Sequence, residues 1–247
     1  MTCKVSIIIP CYHSGNYITR CMDSIYKQDE TNYEVIFVVD DYGHDDTIEK
    51  IKSHDLWKHR HGILCKKVDK SNPATARNTG LCYARGEYIS FLDSDDEWED
   101  EDFLSTSIDG LLSQYDMVYS NSLWVYPKRY FQVHGHDMSR IWLSNPVPFS
   151  TVVVRRDRCI SFDTRLDASD DYKWLLDMND AGRLIRYINM CKCNVYIHGS
   201  NLTAGNILAL SKQAWNVHRL RGEYVLGIFK YLLNIPISLY QHWEIDG

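Results

Sequence analysis

Gly86-Glu-Tyr-Ile-Ser-Phe-Leu-Asp-Ser-Asp-Asp96 decides the reading of this chain. Tyr88 to Leu92 has the continuous apolar character of a buried strand, and it breaks off into carboxylates at positions 93, 95 and 96. Gathering carboxylates at one strand end is costly unless a cation sits among them. Hard oxygen donors suit Mg²⁺ or Mn²⁺, ions that usually arrive with a phosphate-bearing substrate. Asp93-Ser94-Asp95 therefore reads as a grip for a metal ion and a diphosphate. For the triplet alone the alternative is a solvated acidic turn, continued by Glu97, Glu99, Asp100, Glu101 and Asp102.

Working outward toward the N-terminus, strand and helix patterns alternate. Val5 to Ile9 and Val35 to Val39 are apolar runs of the kind found in parallel strands covered on both faces, and Ile63 to Val68 is a third strand. Asn16 is the expected cap of a helix in which Tyr17, Ile18, Cys21, Met22 and Ile25 recur at helical spacing. Thr47 to Lys52 predicts a short helix. Ser71-Asn72-Pro73 combines cap residues with a first-turn proline, so a further helix should reach about Ala84, with Gly86 beyond its end. This order predicts an α/β fold with a mostly parallel, right-handed central sheet flanked by helices. In such sheets ligands bind at the C-terminal strand ends, where Pro10-Cys-Tyr12, Asp40-Asp41 and Asp93-Ser-Asp95 all fall.

Downstream the pattern loosens. Phe103 to Leu112 and Asp170 to Asp180 read as helices, and Ala204 to Leu233 as mainly helical. Short strands are expected at Met117 to Ser120, Leu123 to Tyr126, Tyr130 to Val133, Val152 to Arg155, Leu184 to Ile188 and Val195 to His198. No linker is visible. The expected organisation is one domain over residues 1–205, with a nucleotide-binding half (1–100) and an acceptor half (101–205), and a helical extension at 206–247 packed on it. The aromatic segment Tyr231 to Trp243 reads as a tail packed on the body or a homodimer contact, with peripheral membrane contact as the alternative.

Bulk properties narrow the function classes. A formal net charge of −6 argues against a nucleic-acid partner. No run reaches the ~18 apolar residues of a membrane span. The N-terminus enters a strand pattern almost at once, with no signal peptide visible, so a cytoplasmic location is expected. The eight cysteines are mostly scattered among apolar neighbours, as reduced core residues are, and Cys191-x-Cys193 lacks a second pair at zinc spacing. His54, His59 and His61 lie in a polar connection, and His134-Gly-His136 reads as loop. Neither a G-x-G-x-x-G nor a G-x-x-x-x-G-K-[ST] is present to hold phosphate in the dinucleotide or P-loop manner.

A nucleotide needs a platform for its base, a carboxylate for a base N–H or a ribose hydroxyl, and positive charge near its diphosphate. The three strand ends, with Ala76-Arg77-Asn78 before the fourth strand, supply these. In this ordered set the chain resembles glycosyltransferase family 2, the inverting nucleotide-sugar transferases of the GT-A fold. The matching segments are Val5-Ser-Ile-Ile-Ile-Pro-Cys-Tyr12, Val38-Val-Asp-Asp41 with Asp45-Asp-Thr47, Ala76-Arg-Asn-Thr-Gly-Leu81, Gly86 to Asp96, and Ser169-Asp-Asp-Tyr172.

The resemblance implies roles. Pro10 and Tyr12 would line the base pocket, Asp41 would bond the nucleobase with Asp40 beside it, and Arg77 would face the donor. Asp93 would contact ribose or metal-bound water, Ser94 would belong to the same grip, and Asp95 would ligate a Mn²⁺ or Mg²⁺ ion. Asp171 would be the general base, and His198 would approach the metal or the diphosphate. The donor implied is a nucleoside-diphosphate sugar, with a UDP-sugar favoured. The acceptor would be a glycan or a lipid- or protein-linked saccharide. The chain departs from the family pattern at Tyr42-Gly43, where Gly-Ser is usual, at Asp170, where Glu is usual, and at Tyr196, where Arg is frequent.

Each residue also has a plainer reading. Asp40 and Asp41 can cap a turn, Arg77 can pair with an acidic neighbour on a helix surface, and His198 can be a packed core histidine. Asp170 and Asp171 can serve as favourable charges at a helix N-terminus. Two rival functions stay open here: a nucleotidylyltransferase, and a non-catalytic nucleotide-sugar or glycan-binding relative.

Overall fold

The structure is a computed structural model that describes residues 3–40, 45–59, 63–68, 72–112, 114–133, 138, 141, 145, 147–198 and 207–223. Strands β1 (Val5–Cys11), β2 (Tyr33–Asp40), β3 (Ile63–Val68) and β4 (Tyr88–Phe91) lie parallel in the order β3-β2-β1-β4. Helices α1 (Ile18–Tyr26), α2 (Thr47–Ser53), α3 (Asp55–His59) and α4 (Pro73–Tyr83) make the crossovers. Along β1, Val5, Ile7 and Ile9 face a core formed with α1, α2 and α3, while Ile8 faces the opposite core. A strand with an apolar layer on both sides cannot alternate with polar residues, which explains its largely apolar run. The exception, Ser6, is buried with its hydroxyl donated to Glu34 Oε1 at 2.6 Å.

The second half continues the same sheet. The strands β5 (Glu97–Trp98), β6 (Met117–Tyr126), β7 (Arg129–Val133), β8 (Val153–Arg155) and β9 (Ile185–Tyr196) follow, with α5 (Phe103–Leu112), α6 (Asp170–Asp180) and α7 (Ile207–Leu220). Beyond β4 the order runs β8-β6-β9-β5, and β7 hangs on β6 as a hairpin partner. The two expected halves thus share one sheet, joined where β4 pairs antiparallel with β8.

Several expectations need correction. Met117–Ser120 and Leu123–Tyr126 are one strand, and the strands expected at 184–188 and 195–198 are the ends of one strand, β9. Within the stretch expected to be mainly helical from 204 to 233, a helix covers Ile207 to Leu220, and Gly222 at φ 75° takes the left-handed turn that closes it. Residues 204–206 and 224–233 lie outside the described residues. Helix α3 occupies part of the connection read as polar loop. Tyr42, Gly43, His61, Ser71, His134, His136 and residues 231–243 also lie outside them.

Helix α4 is the element that positions the site, and the sequence reads through to its packing. Asn72 Oδ1 accepts the Thr75 N–H at 2.9 Å, with Pro73 in the first turn, as expected. Gly80 is required because a Cβ there would run into the Ile8 side chain, so only glycine lets α4 lie this close to β1. Asn72 Nδ2 also donates to the carbonyls of Thr164 and Leu166, at 2.8 and 3.0 Å, and Asn78 clasps Phe162 through both its N–H and its C=O, at 2.8 and 2.9 Å. These two amides tie the loop that leads into α6 down onto α4. Replacing Asn72 with Ala removes a cap and two loop anchors together. We expect it to destabilise the fold by about 1–2 kcal/mol, the upper end for a capping residue, measured as a lower urea midpoint with unchanged slope.

Candidate functional site

The acidic turn after β4 is held at every residue by a group remote in the chain. The Asp93 N–H donates to Ser150 Oγ at 3.2 Å, and Ser150 Oγ donates on to Asp96 Oδ2 at 2.6 Å. Asp96 also accepts the Tyr196 N–H at 3.2 Å. The buried Ser94 hydroxyl meets the Ser14 hydroxyl at 2.7 Å, and Arg20 Nη2 donates to the Asp95 carbonyl at 2.6 Å. Burial, then the charges of Asp95 and Asp93, push the Asp96 carboxyl well above its ordinary range. Asp96 is therefore a structural strut. Ser94, expected to bind the donor, ties the turn to the loop after β1.

Arg77, which the resemblance implies would face the donor, is engaged within the protein. It is buried, its Nη1 donating to Asp170 Oδ2 and its Nη2 to Asp93 Oδ1, both at 2.7 Å. The guanidinium lies over the Phe149 ring, 4.7 Å from its centroid, with Phe162 beyond. Burial pulls against the charged form, yet Asp170 and then Asp93 hold the Arg77 pKa above its ordinary value. Two carboxylates brought together from β4 and α6 would repel, and a cation set between them turns that repulsion into a bridge.

This bridge settles which aspartate on α6 is available. Asp170 is 3% exposed and committed to Arg77. Asp171 is half-buried and accepts a hydrogen bond from Asn145 Nδ2 at 3.2 Å. Burial first, then the charge of Asp170, push the Asp171 carboxyl up to about 6, with Asp93 adding to the rise and Arg77 opposing it. Asp171 is thus within electrostatic reach of the acidic turn and poised near neutral pH. The residue before the pair, Ser169, sits at φ 59°, a left-handed conformation that a serine adopts only under constraint.

On the other side of the turn, His198 Nε2 lies 3.0 Å from Asp95 Oδ2, and the Tyr17 ring stacks on the imidazole at 4.5 Å and 12°. Ligands at neighbouring corners of an octahedral Mg²⁺ or Mn²⁺ site stand about 3 Å apart, given bonds of about 2.1 Å, so this pair fits as two such ligands. Among the described residues no set of three or more His, Cys, Asp or Glu is arranged to hold a metal. Two protein ligands suffice where the substrate's own phosphates complete the shell. Asp93, also expected at the metal, has one carboxylate oxygen engaged by Arg77. Burial and then Asp93 raise the Asp95 carboxyl above its usual range, and His198 works against that rise. Tyr196, standing where Arg is frequent, carries Arg20 on its ring instead, 3.4 Å from the centroid.

The end of the sheet expected to take the base carries Pro10, Tyr12 and Asp40. Pro10 lies in β1, paired with Val38 of β2, and Tyr12 is 61% exposed, its ring in a T-shaped contact with that of His13, centroids 4.4 Å apart. His13, at φ 48°, is the other non-glycine residue in the left-handed region among the described residues. Asp40 ends β2, and Asp41 lies outside the described residues. Trp124 and Tyr130 are exposed on the β6–β7 hairpin. They face opposite sides of it, because Trp124 pairs with Phe131 and Tyr130 with Val125. Of the residues above, Ser14, Tyr17, Arg20, Ser150 and Asn145 had no sequence signal, since each acts through a partner remote in the chain.

A comparison with known families meets this geometry directly: the profile described as Glycosyl transferase family 2 matches residues 6–172. The chain belongs to that family. This family 2 chain is 29% identical over 252 residues to the Escherichia coli UDP-Glc:alpha-D-GlcNAc-diphosphoundecaprenol beta-1,3-glucosyltransferase WfgD, covering 96% of the chain and 94% of WfgD. To glycosyltransferase GlyA of Streptococcus pneumoniae it is 38% identical over 103 residues, 42% of the chain but 14% of GlyA. Among solved structures, S. aureus TarS in complex with UDP-GlcNAc superposes with a TM-score of 0.69 at 20% identity, over 87% of this chain and 66% of that one. The Pyrobaculum calidifontis mannosyltransferase PcManGT in complex with GDP-Man and Mn²⁺ gives 0.70 at 17% identity, over 99% and 76%. These two share the GT-A fold with the family 2 chain. No described helix is long and apolar enough to cross a membrane.

Proposed function

We propose that this chain is an inverting glycosyltransferase that moves a sugar from a UDP-sugar to a hydroxyl of a saccharide acceptor during glycan assembly. The observation that carries the reading is the division of labour between the two aspartates of α6. Asp170 is locked to Arg77, while Asp171 is left half-buried with its carboxyl raised to about 6. An acceptor alcohol is a weak nucleophile, and a carboxylate with a near-neutral pKa is suited to take its proton as the C–O bond forms. A single base of this kind fits direct displacement, with attack opposite the leaving group and inversion at the anomeric carbon. Asp95 and His198 would hold a divalent cation, which when bound supplies Lewis-acid neutralisation of the diphosphate leaving group. Tyr12, exposed just beyond β1, would meet the base. The UDP preference follows the names of WfgD and of the TarS complex. The WfgD name also makes a lipid-linked saccharide the acceptor to try first.

A panel of sugar nucleotides, UDP-Glc, UDP-GlcNAc and GDP-Man among them, tests this with MnCl₂ present. Thermal shift and release of the nucleoside diphosphate are read together. One UDP-sugar should both stabilise the protein and turn over. Stabilisation without turnover, with or without acceptor, would favour a binding relative, and release of pyrophosphate from sugar phosphate and UTP would favour a nucleotidylyltransferase. EDTA should abolish turnover and added Mn²⁺ restore it. Undiminished turnover in EDTA would remove the metal from the reading.

A further inference from the structure

Asp171 is met from outside its own helix by a side chain to which no role has been given. Asn145 Nδ2 donates to Asp171 Oδ2 at 3.2 Å. The other end of the same amide is already committed, because Asn145 Oδ1 accepts the Val147 N–H at 3.1 Å. An Asn amide has one acceptor end and one donor end, so the short turn to Val147 dictates that the donor end faces the carboxylate. Val147 itself is buried in the core cluster that contains Tyr172 and Trp174 of α6, which anchors the turn to the body of the protein.

We infer that Asn145 is a positioning residue for Asp171, holding one carboxylate oxygen so that the other is presented to the acceptor hydroxyl. The inference rests on the base reading of Asp171 proposed above. A carboxylate on a helix's first turn can rotate about two side-chain bonds, and a fixed donor on one oxygen removes that freedom. Misplacement of a reacting group by about 1 Å costs about 10²-fold in rate, so such an anchor is worth having. The charged groups facing the Asp171 carboxylate are Asp170 beside it, Arg77 from α4 and Asp93 at the end of β4. Asn145 adds a neutral donor from the remaining side.

Asn145→Asp separates the two roles of the amide. It keeps an oxygen for the Val147 N–H and replaces the donor with a carboxylate aimed at Asp171. Asn145→Ser keeps a hydroxyl for Val147 and removes the amide, and it is read in the same way if Asn145→Asp melts below the assay temperature. Two measurements are made on each protein. The first is the titration of the Asp171 carboxyl in the free protein, by carbon-13 NMR, with Asp171→Asn used to assign the signal. The second is turnover of UDP-Glc and UDP-GlcNAc with MnCl₂, followed as UDP release. We expect Asn145→Asp to move the Asp171 midpoint to higher pH and to lower kcat at least about tenfold with KM for the donor unchanged. An unmoved midpoint in a folded Asn145→Asp protein overturns the inference whatever the turnover shows. If Asp171→Asn retains full turnover, it is the base reading that fails. If Asp171→Asn is inactive while Asn145→Asp keeps the wild-type kcat, only the role of Asn145 is lost.

Discussion

Asp171→Asn is expected to lower sugar transfer by about 10²–10⁴-fold while donor binding and folding survive. Asn keeps the shape of the side chain and can still accept the Asn145 amide, so the change removes a proton acceptor and little else. The same residue sets a pH dependence whose sign can be worked out. Only the ionised carboxylate can take a proton, and Asp171 titrates at about 6, so wild-type kcat/KM should fall as pH drops through about 6. Stability runs the other way. The folded value of about 6 lies above the ordinary 3.8, so between those values the folded protein keeps a proton that the unfolded chain has lost. Stability therefore decreases as pH rises through that interval. The full shift corresponds to about 3 kcal/mol for a dry group, and partial exposure of Asp171 reduces this to on the order of 1 kcal/mol. Asp171→Asn, which is never charged, escapes that penalty and should be at least as stable as wild type at pH 7.5. A variant that kept turnover would refute the base assignment. One that lost turnover only by unfolding would make Asp171 a structural residue.

That combination, a group that lowers stability where it is most active, is what a fold tolerates at a working site and removes elsewhere. It also marks how far the site was legible in the chain. The parallel half could be read because β1, β2 and β4 each send apolar residues into cores on both faces, and because α4 carries a local start signal in Asn72-Pro73. Helix α1, by contrast, has Tyr17 at its N-cap with no side-chain cap bond, and not the expected Asn16. The antiparallel half could not be read as well. Ser120-Asn121-Ser122 looks like a break, yet all three are buried within one strand. Asn121 Oδ1 accepts the Tyr187 hydroxyl at 2.6 Å, and its amide donates to Asn189 at 3.1 Å, across a register shift between β6 and β9. Polar residues satisfied across a bulge look the same in sequence as polar residues satisfied by water.

The same limit governs the site. Acidic residues at strand ends announce themselves by position, and so Asp93, Asp95 and Asp171 could be named from the ordered motifs. What a side chain touches could not. Arg77 lies on a helix in a motif associated with the donor, and nothing local reveals that its partners are 16 and 93 positions away. The more distant contact commits Asp170, the neighbour of the expected base Asp171, to Arg77. The left-handed backbone at His13 and Ser169 is likewise invisible locally. Neither is a glycine, and each adjoins a candidate functional residue, Tyr12 or Asp170.

Arg77→Met should be the most destabilising single change at the site, by about 3–5 kcal/mol. Methionine fills much of the space over Phe149 and Phe162, so the main loss is electrostatic. Asp170, 3% exposed, is left charged with no cation, next to Asp171 and facing Asp93 across the vacated position. Transfer should fall as well, because Asp93 loses its anchor and the uncompensated Asp170 drives Asp171 further toward its protonated form. The test is a cycle of urea unfolding on wild type, Arg77→Met, Asp170→Asn and the double variant. Removing the charge that Arg77 had balanced should recover part of the loss, so the double variant should be more stable than Arg77→Met by on the order of 1–3 kcal/mol. Transfer should stay low in the double variant, since Asp93 remains unanchored. A double variant no more stable than Arg77→Met would place the damage in the emptied aromatic box and not in the orphaned carboxylate. A loss below about 1 kcal/mol in Arg77→Met itself would mean that water already screens Asp170, and the bridge would then not be what holds α6 against the acidic turn.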